Sequence, residues 1–162
     1  MKINTAELAP LVSAIAFVFS AIIVVIQLRN VRRDRFVVVT YGLFQIWQSP
    51  DFMKAQLWVM HELHEQTWEG FQEHHRGKDG EVAFMRVTGF YNRVGTLVNL
   101  HIVDGRVILR TIGGTALVVW KRVKPLIEEA RRENPGFLLD FESLIPHCAT
   151  CLDEMAMSEK RA

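Results

Sequence analysis

Four of the chain's six histidines fall within one short stretch, MHELHEQTWEGFQEHH, as His61, His64, His74 and His75. Neutral imidazole is a common metal ligand, so a metal site is the first chemistry to test. His61 and His64 stand three residues apart, and on a helix they would share a face and could reach one ion. The zinc-hydrolase pattern H-E-x-x-H needs four-residue spacing with the glutamate as base, and HELH does not supply it. Carboxylate-bridged di-metal bundles use Glu-x-x-His pairs on two helices. Glu65, Glu69 and Glu73 have no histidine three residues on. His74 and His75 are adjacent, beside Arg76 and Lys78 in a glycine-bounded loop, and adjacent side chains do not converge on one ion. The stretch is expected to be a solvated helix end and loop.

A second candidate is HCATCLDE, with His147, Cys148 and Cys151. Cys-x-x-Cys is half of a zinc site or a redox pair. A structural zinc needs four ligands, and only His147 is local. A redox pair normally opens a helix after a strand, and no strand pattern precedes this one. Two reduced thiols on a packed helix face are the expectation. The phosphate-binding glycine loops and the G-x-S-x-G nucleophile turn are missing. Net charge is +1, so no overall basic field recruits nucleic acid. No catalytic residue, cofactor or metal is expected.

The elements that must carry these side chains begin with an apolar segment. Residues 8–26 form a run of 19 without a charge. As a helix that run is roughly 28 Å long, near the hydrocarbon thickness of a bilayer. A cleaved signal peptide would put its charge before a shorter apolar core. Here the charge follows, as Arg29, Arg32, Arg33 and Arg35 against Asp34. A retained single-pass anchor is expected, with these arginines at lipid headgroups. By the positive-inside rule the N-terminus lies outside and the rest in the cytoplasm, where the cysteines stay reduced. Ala9, Ser13, Ala16 and Ser20 recur at spacings of 4, 3 and 4, and Ile23 and Gln27 continue the seam. Small residues let membrane helices approach closely, and a buried glutamine can bond across them.

Beyond the arginines the pattern predicts helices only. The first continues through FVVVTYGLFQIW to a stop at Ser49-Pro50, an N-cap followed by a first-turn proline. A second spans about residues 50–66. A third opens at Asp79 or Gly80 with Ala83, Val87, Phe90, Val94 and Leu97 as its stripe. Asp104-Gly105 reads as a turn, and Gly113-Gly114 as a hinge before a fourth helix, in which Pro125 predicts a kink. A last helical stretch begins at FLLDFESLI and is interrupted by Pro146. Trp47, Phe52, Trp58, Phe90, Leu97, Trp120 and Phe141 are the predicted core.

Certain segments together resemble a bacterial family defined only as domain of unknown function 4760. They are the anchor, FQIWQSPDF, FYNRVGTLVNLHIVD, VVWKRVKPLIEEARRENPGF and DFESL. The resemblance implies that the glycine of RVGTLVN permits close helix packing, and that the helix from Trp120 through Pro125 carries Arg131 at the surface. It implies no activity, and its pattern includes neither HCATC nor the histidine pair. The expected architecture is all-α: a transmembrane anchor over residues 1–35 and a small cytoplasmic helical bundle over residues 36–162. The expected role is assembly at a bacterial inner membrane, with lipid and a protein partner, either a second copy or a larger membrane complex. The alternatives are a membrane-tethered metal or thiol protein using His147, Cys148 and Cys151, or a small membrane sensor.

Overall fold

The computed structural model describes the backbone of residues 5–160 and, outside residues 5–15 and 28–36, the side chains as well. The described residues form six helices and no strand. These are α1 (Thr5–Trp47), α2 (Pro50–His61), α3 (Trp68–His75), α4 (Asp79–Asn99), α5 (Gly105–Ala130) and α6 (Leu139–Glu159). The chain divides into two compact units, Met1–Val38 and Val39–Ala162.

In the first unit every described side chain from residue 16 to residue 27 is exposed. Phe17, Phe19, Ile22 and Ile26 are among them, at 50 to 76% exposure. A helix apolar on all sides has no face left for water. Among the described residues no helix is long and apolar enough to cross a membrane. Within the uncharged run of residues 8–26, the described side chains begin at residue 16.

The second unit is a helical bundle. Ser49 caps α2, its hydroxyl accepting from the Phe52 N–H at 3.3 Å. The helix stops at His61, short of the predicted residue 66. The Glu62 and Leu63 N–H groups both turn back to the Trp58 carbonyl, and Leu63 enters the core with no exposed surface. Arg122 of α5 donates to the Met60 carbonyl at 3.1 Å, satisfying one of the open carbonyls at that helix end.

Where a loop was expected, α3 forms. Eight residues are too few to hold a helix in water alone. Partners supply the stability: the Thr67 hydroxyl accepts from Gly70 N–H, and Glu129 of α5 accepts from Trp68 N–H at 2.6 Å. Phe71 is fully buried against Phe84.

Helix α4 matches its predicted start, and Ala83, Val87, Phe90 and Val94 are buried. Asp104 is the N-cap of α5, accepting from Arg106 N–H at 2.9 Å. From there α5 runs unbroken through Gly113-Gly114 and Pro125, so the predicted hinge is absent. Each helical glycine costs about 1 kcal/mol. Burial of Ile108, Leu109, Ile112, Ala116 and Val119 around the pair outweighs that cost. Helix α6 likewise continues through Pro146.

Helix α6 packs against both α4 and α5, while α2 packs against α4 and α5 from another side. Tyr91 stacks on Phe141 at 5.1 Å, Trp120 meets Phe141 edge-on, and Phe52 contacts Phe90 at 4.7 Å. Of the predicted core, Phe52, Phe90, Trp120 and Phe141 are buried, while Trp47, Trp58 and Leu97 are half-buried. Unpredicted members include Tyr91, Phe71, Phe84 and Leu63.

Candidate functional site

Along α1, Ala16, Ser20 and Gln27 are exposed between large apolar neighbours. The other two seam residues, Ala9 and Ser13, and the cluster of Arg29, Arg32, Arg33 and Arg35, have side chains outside the described residues. The small side chains of Ala16 and Ser20 lie exposed beside Phe17, Phe19 and Ile23.

The histidines separate into unlike surroundings. His61 ends α2, and His64 lies in the loop after it, so the two do not share a helix face. The sequence placed both on one helix because nothing local marks Leu63 as the residue that turns inward. His74 bonds the Gly70 carbonyl at 2.9 Å. His75 is half-buried, with Nε2 2.8 Å from Glu65 Oε1. The Trp58 ring stands edge-on to it at 5.1 Å, and Phe71 lies at 5.2 Å. Gly80 closes the other side, where a Cβ would overlap the His75 ring.

Partial burial pushes the Glu65 carboxyl up. Backbone N–H groups and His75 outweigh this, and its pKa falls below the usual carboxylate value. The pair fastens the loop between α2 and α3 to the last residue of α3, against Gly80 of α4. Its residues are ten apart across a helix boundary, so no spacing rule announces them.

His147 faces solvent, whereas Cys148 and Cys151 are buried and free. Cys148 Sγ lies in van der Waals range of the space beside Gly113. Burial, with Cys151 adding to it, pushes the Cys148 thiol up to about 12. A nucleophilic or metal-binding cysteine needs the opposite shift. Among the described residues no three His, Cys, Asp or Glu side chains are grouped to hold a metal ion.

Two polar clusters position helices. Arg131 is not a surface residue: its side chain is 16% exposed and pairs with Glu142. It also donates to the Phe137 carbonyl at 2.8 Å and the Leu138 carbonyl at 3.1 Å. These bonds hold a turn in which Leu138 takes the left-handed φ of 55°. At the crossing of α4 and α6, Gly95 allows the contact its position implied, since a Cβ there would overlap the Asp140 carbonyl. Asn92 accepts from Phe141 N–H at 3.0 Å, capping α6 from outside. Thr96 and Asn99 donate to the two Asp140 oxygens at 2.6 and 2.9 Å. Every one of these groups is engaged within the fold.

No curated protein and no solved structure matches the chain. A family model does, that of the Domain of unknown function (DUF4760), over residues 12–147. That match takes in α1 from residue 12, all of α2 to α5 and the first turns of α6, and the chain belongs to this family.

Proposed function

We propose that the protein is a single-pass, membrane-anchored assembly factor of the bacterial inner membrane. The carrying observation is the apolar helix of the first unit, uncharged over residues 8–26 and followed by Arg29, Arg32, Arg33 and Arg35. That order of charges favours an external N-terminus and a cytoplasmic helical bundle. The seam through Ala9, Ser13, Ala16, Ser20 and Gln27 supplies the contact with a second copy or with a subunit of a larger membrane complex. The bundle acts as a rigid body presented at the membrane face. His147 faces solvent while both thiols are buried, so no metal- or thiol-dependent role is proposed.

The test is extraction of the tagged full chain from native membranes in mild detergent, followed by affinity capture and sizing. A defined assembly larger than one chain is the expected result. Recovery in the soluble fraction, or a bare monomer with nothing bound, overturns the proposal.

A further inference from the structure

Charge is unevenly spread in the second unit. Residues 36–162 carry 14 lysines and arginines against 16 aspartates and glutamates. Yet residues 105–127, nearly all of α5, contain Arg106, Arg110, Lys121, Arg122 and Lys124 and no acid. Arg122 turns inward to the Met60 carbonyl. The other four are exposed. Lys124 reaches Glu128 at 3.6 Å, and among the described residues Arg106, Arg110 and Lys121 make no ion pair. The acids gather elsewhere: residues 62–81 hold Glu62, Glu65, Glu69, Glu73, Asp79 and Glu81 against Arg76 and Lys78.

The same face of α5 is apolar between its cations. Val107, Thr111, Gly114 and Val118 recur at spacings of 4, 3 and 4 and are all exposed. Val107 and Val118 are 45 and 50% exposed, and just before the helix Leu100 and Ile102 stand at 64 and 48%. A lone exposed valine needs no explanation. Aliphatic side chains framed by four cations, three of them without an ion pair among the described residues, over about 30 Å of one helix have the composition of a surface lying on anionic headgroups. A protein partner would ask for a pocket and aromatic anchors, and this face is shallow and aliphatic.

We infer that the exposed face of α5 docks on an anionic lipid bilayer through Arg106, Arg110, Lys121 and Lys124, with Val107 and Val118 at the headgroup boundary. The inference rests on the membrane-anchor proposal. The anchor holds the bundle at high local concentration near lipid, so a weak surface contact suffices. The acidic stretch of residues 62–81 is repelled by the same lipid.

The test uses the full chain reconstituted in vesicles of phosphatidylcholine alone or mixed with phosphatidylglycerol. An environment-sensitive fluorophore is placed at Val118→Cys, and in separate samples at Val25→Cys, off the seam, and Glu69→Cys. The native cysteines are buried, and labelling of the unsubstituted chain measures their background. Quenching by lipids with shallow spin labels is expected to be about twofold or more stronger for the Val118 probe in anionic than in neutral vesicles. It is lost in about 0.5 M salt. It is also lost when Arg106, Arg110, Lys121 and Lys124 are changed to alanine, and kept when the two arginines become lysine. The Glu69 probe stays unquenched. A Val118 probe blind to lipid charge, with the Val25 probe quenched, overturns the α5 inference and leaves the anchor standing. An unquenched Val25 probe overturns both. A Val118 signal that follows protein concentration in either lipid assigns the face to a second copy and overturns lipid docking.

Discussion

Gly89 and Gly95 lie on one helix, six residues apart, and meet opposite surroundings. A Cβ at Gly95 would overlap the Asp140 carbonyl, which is backbone and cannot swing aside, while at Gly89 it would meet nothing within 4 Å. Gly95→Ala is therefore expected to cost about 2 kcal/mol or more, as overpacking at a helix crossing does. Gly89→Ala is expected to gain up to about 1 kcal/mol from helix propensity. Urea unfolding of the full chain in mild detergent measures both, and equal effects would mean that α4 and α6 do not cross at Gly95. Titration gives a second residue-scale prediction. The Cys148 thiol, pushed up by burial to about 12, stays neutral in the fold to far higher pH than in the unfolded chain, where its value is near 9.0. Burial moves Tyr91 in the same direction. The unfolded chain thus loses these protons first, and the stability they contribute is complete below about pH 9 and fades as pH rises toward 12. The urea midpoint should hold steady from neutral pH to about pH 8.5 and fall by pH 10, less steeply in Cys148→Ala. A midpoint that rises with alkali would contradict a neutral, buried thiol.

Helix α6 shows how an element can depend on a side chain far away in sequence. Its first residue follows Leu138 in a left-handed conformation, with no cap from its own chain segment, and Asn92 of α4 accepts from Phe141 N–H instead. Removing a cap typically costs about 1 kcal/mol. Asn92→Ala should cost that much and speed amide exchange in the first turn of α6 before any other part of the bundle; unchanged exchange there would show that water replaces Asn92. Such partnerships explain which elements the sequence announced. The stop of α1, the start of α4, the Ser49 cap and most of the α4 stripe were legible because local spacing and capping residues specify them. The end of α2 at His61, the whole of α3 and the continuity of α5 were not. Leu63 turns inward because of the core it meets, α3 stands on Glu129 and Phe84, and the Gly113-Gly114 pair survives because α6 packs beside it. Arg131, which the family resemblance placed at the surface, is drawn in by carbonyls seven and fewer residues on. The candidate site divides the same way. The anchor seam and its arginines are a linear pattern, whereas the Glu65–His75 pair and the cationic face of α5 depend on a helix boundary and a continuous helix that local rules misjudged.

At the scale of the whole molecule, the proposed role joins two surfaces of different chemistry on one chain, a small-residue track on α1 and a cationic, aliphatic face on α5. They should fail independently. The track works by letting backbones approach, so bulk is the right perturbation and polarity the wrong one: leucine keeps the segment apolar and membrane-compatible while holding a partner helix away. Ala16→Leu with Ser20→Leu should leave the chain in the membrane fraction, resistant to salt and alkali, because the apolar run is longer in surface and no more charged. The same double change should lower the share of chain recovered in the larger assembly by about tenfold, the effect of losing roughly 1.4 kcal/mol of association energy. Val25→Leu with Val18→Leu, on exposed positions off the seam, should leave assembly as it was. Sizing after mild extraction separates the outcomes. Loss of assembly in the first pair alone places the contact on the seam. Equal loss in both pairs assigns it to the general girth of α1, and no loss in either moves the partner's contact from the anchor to the helical bundle.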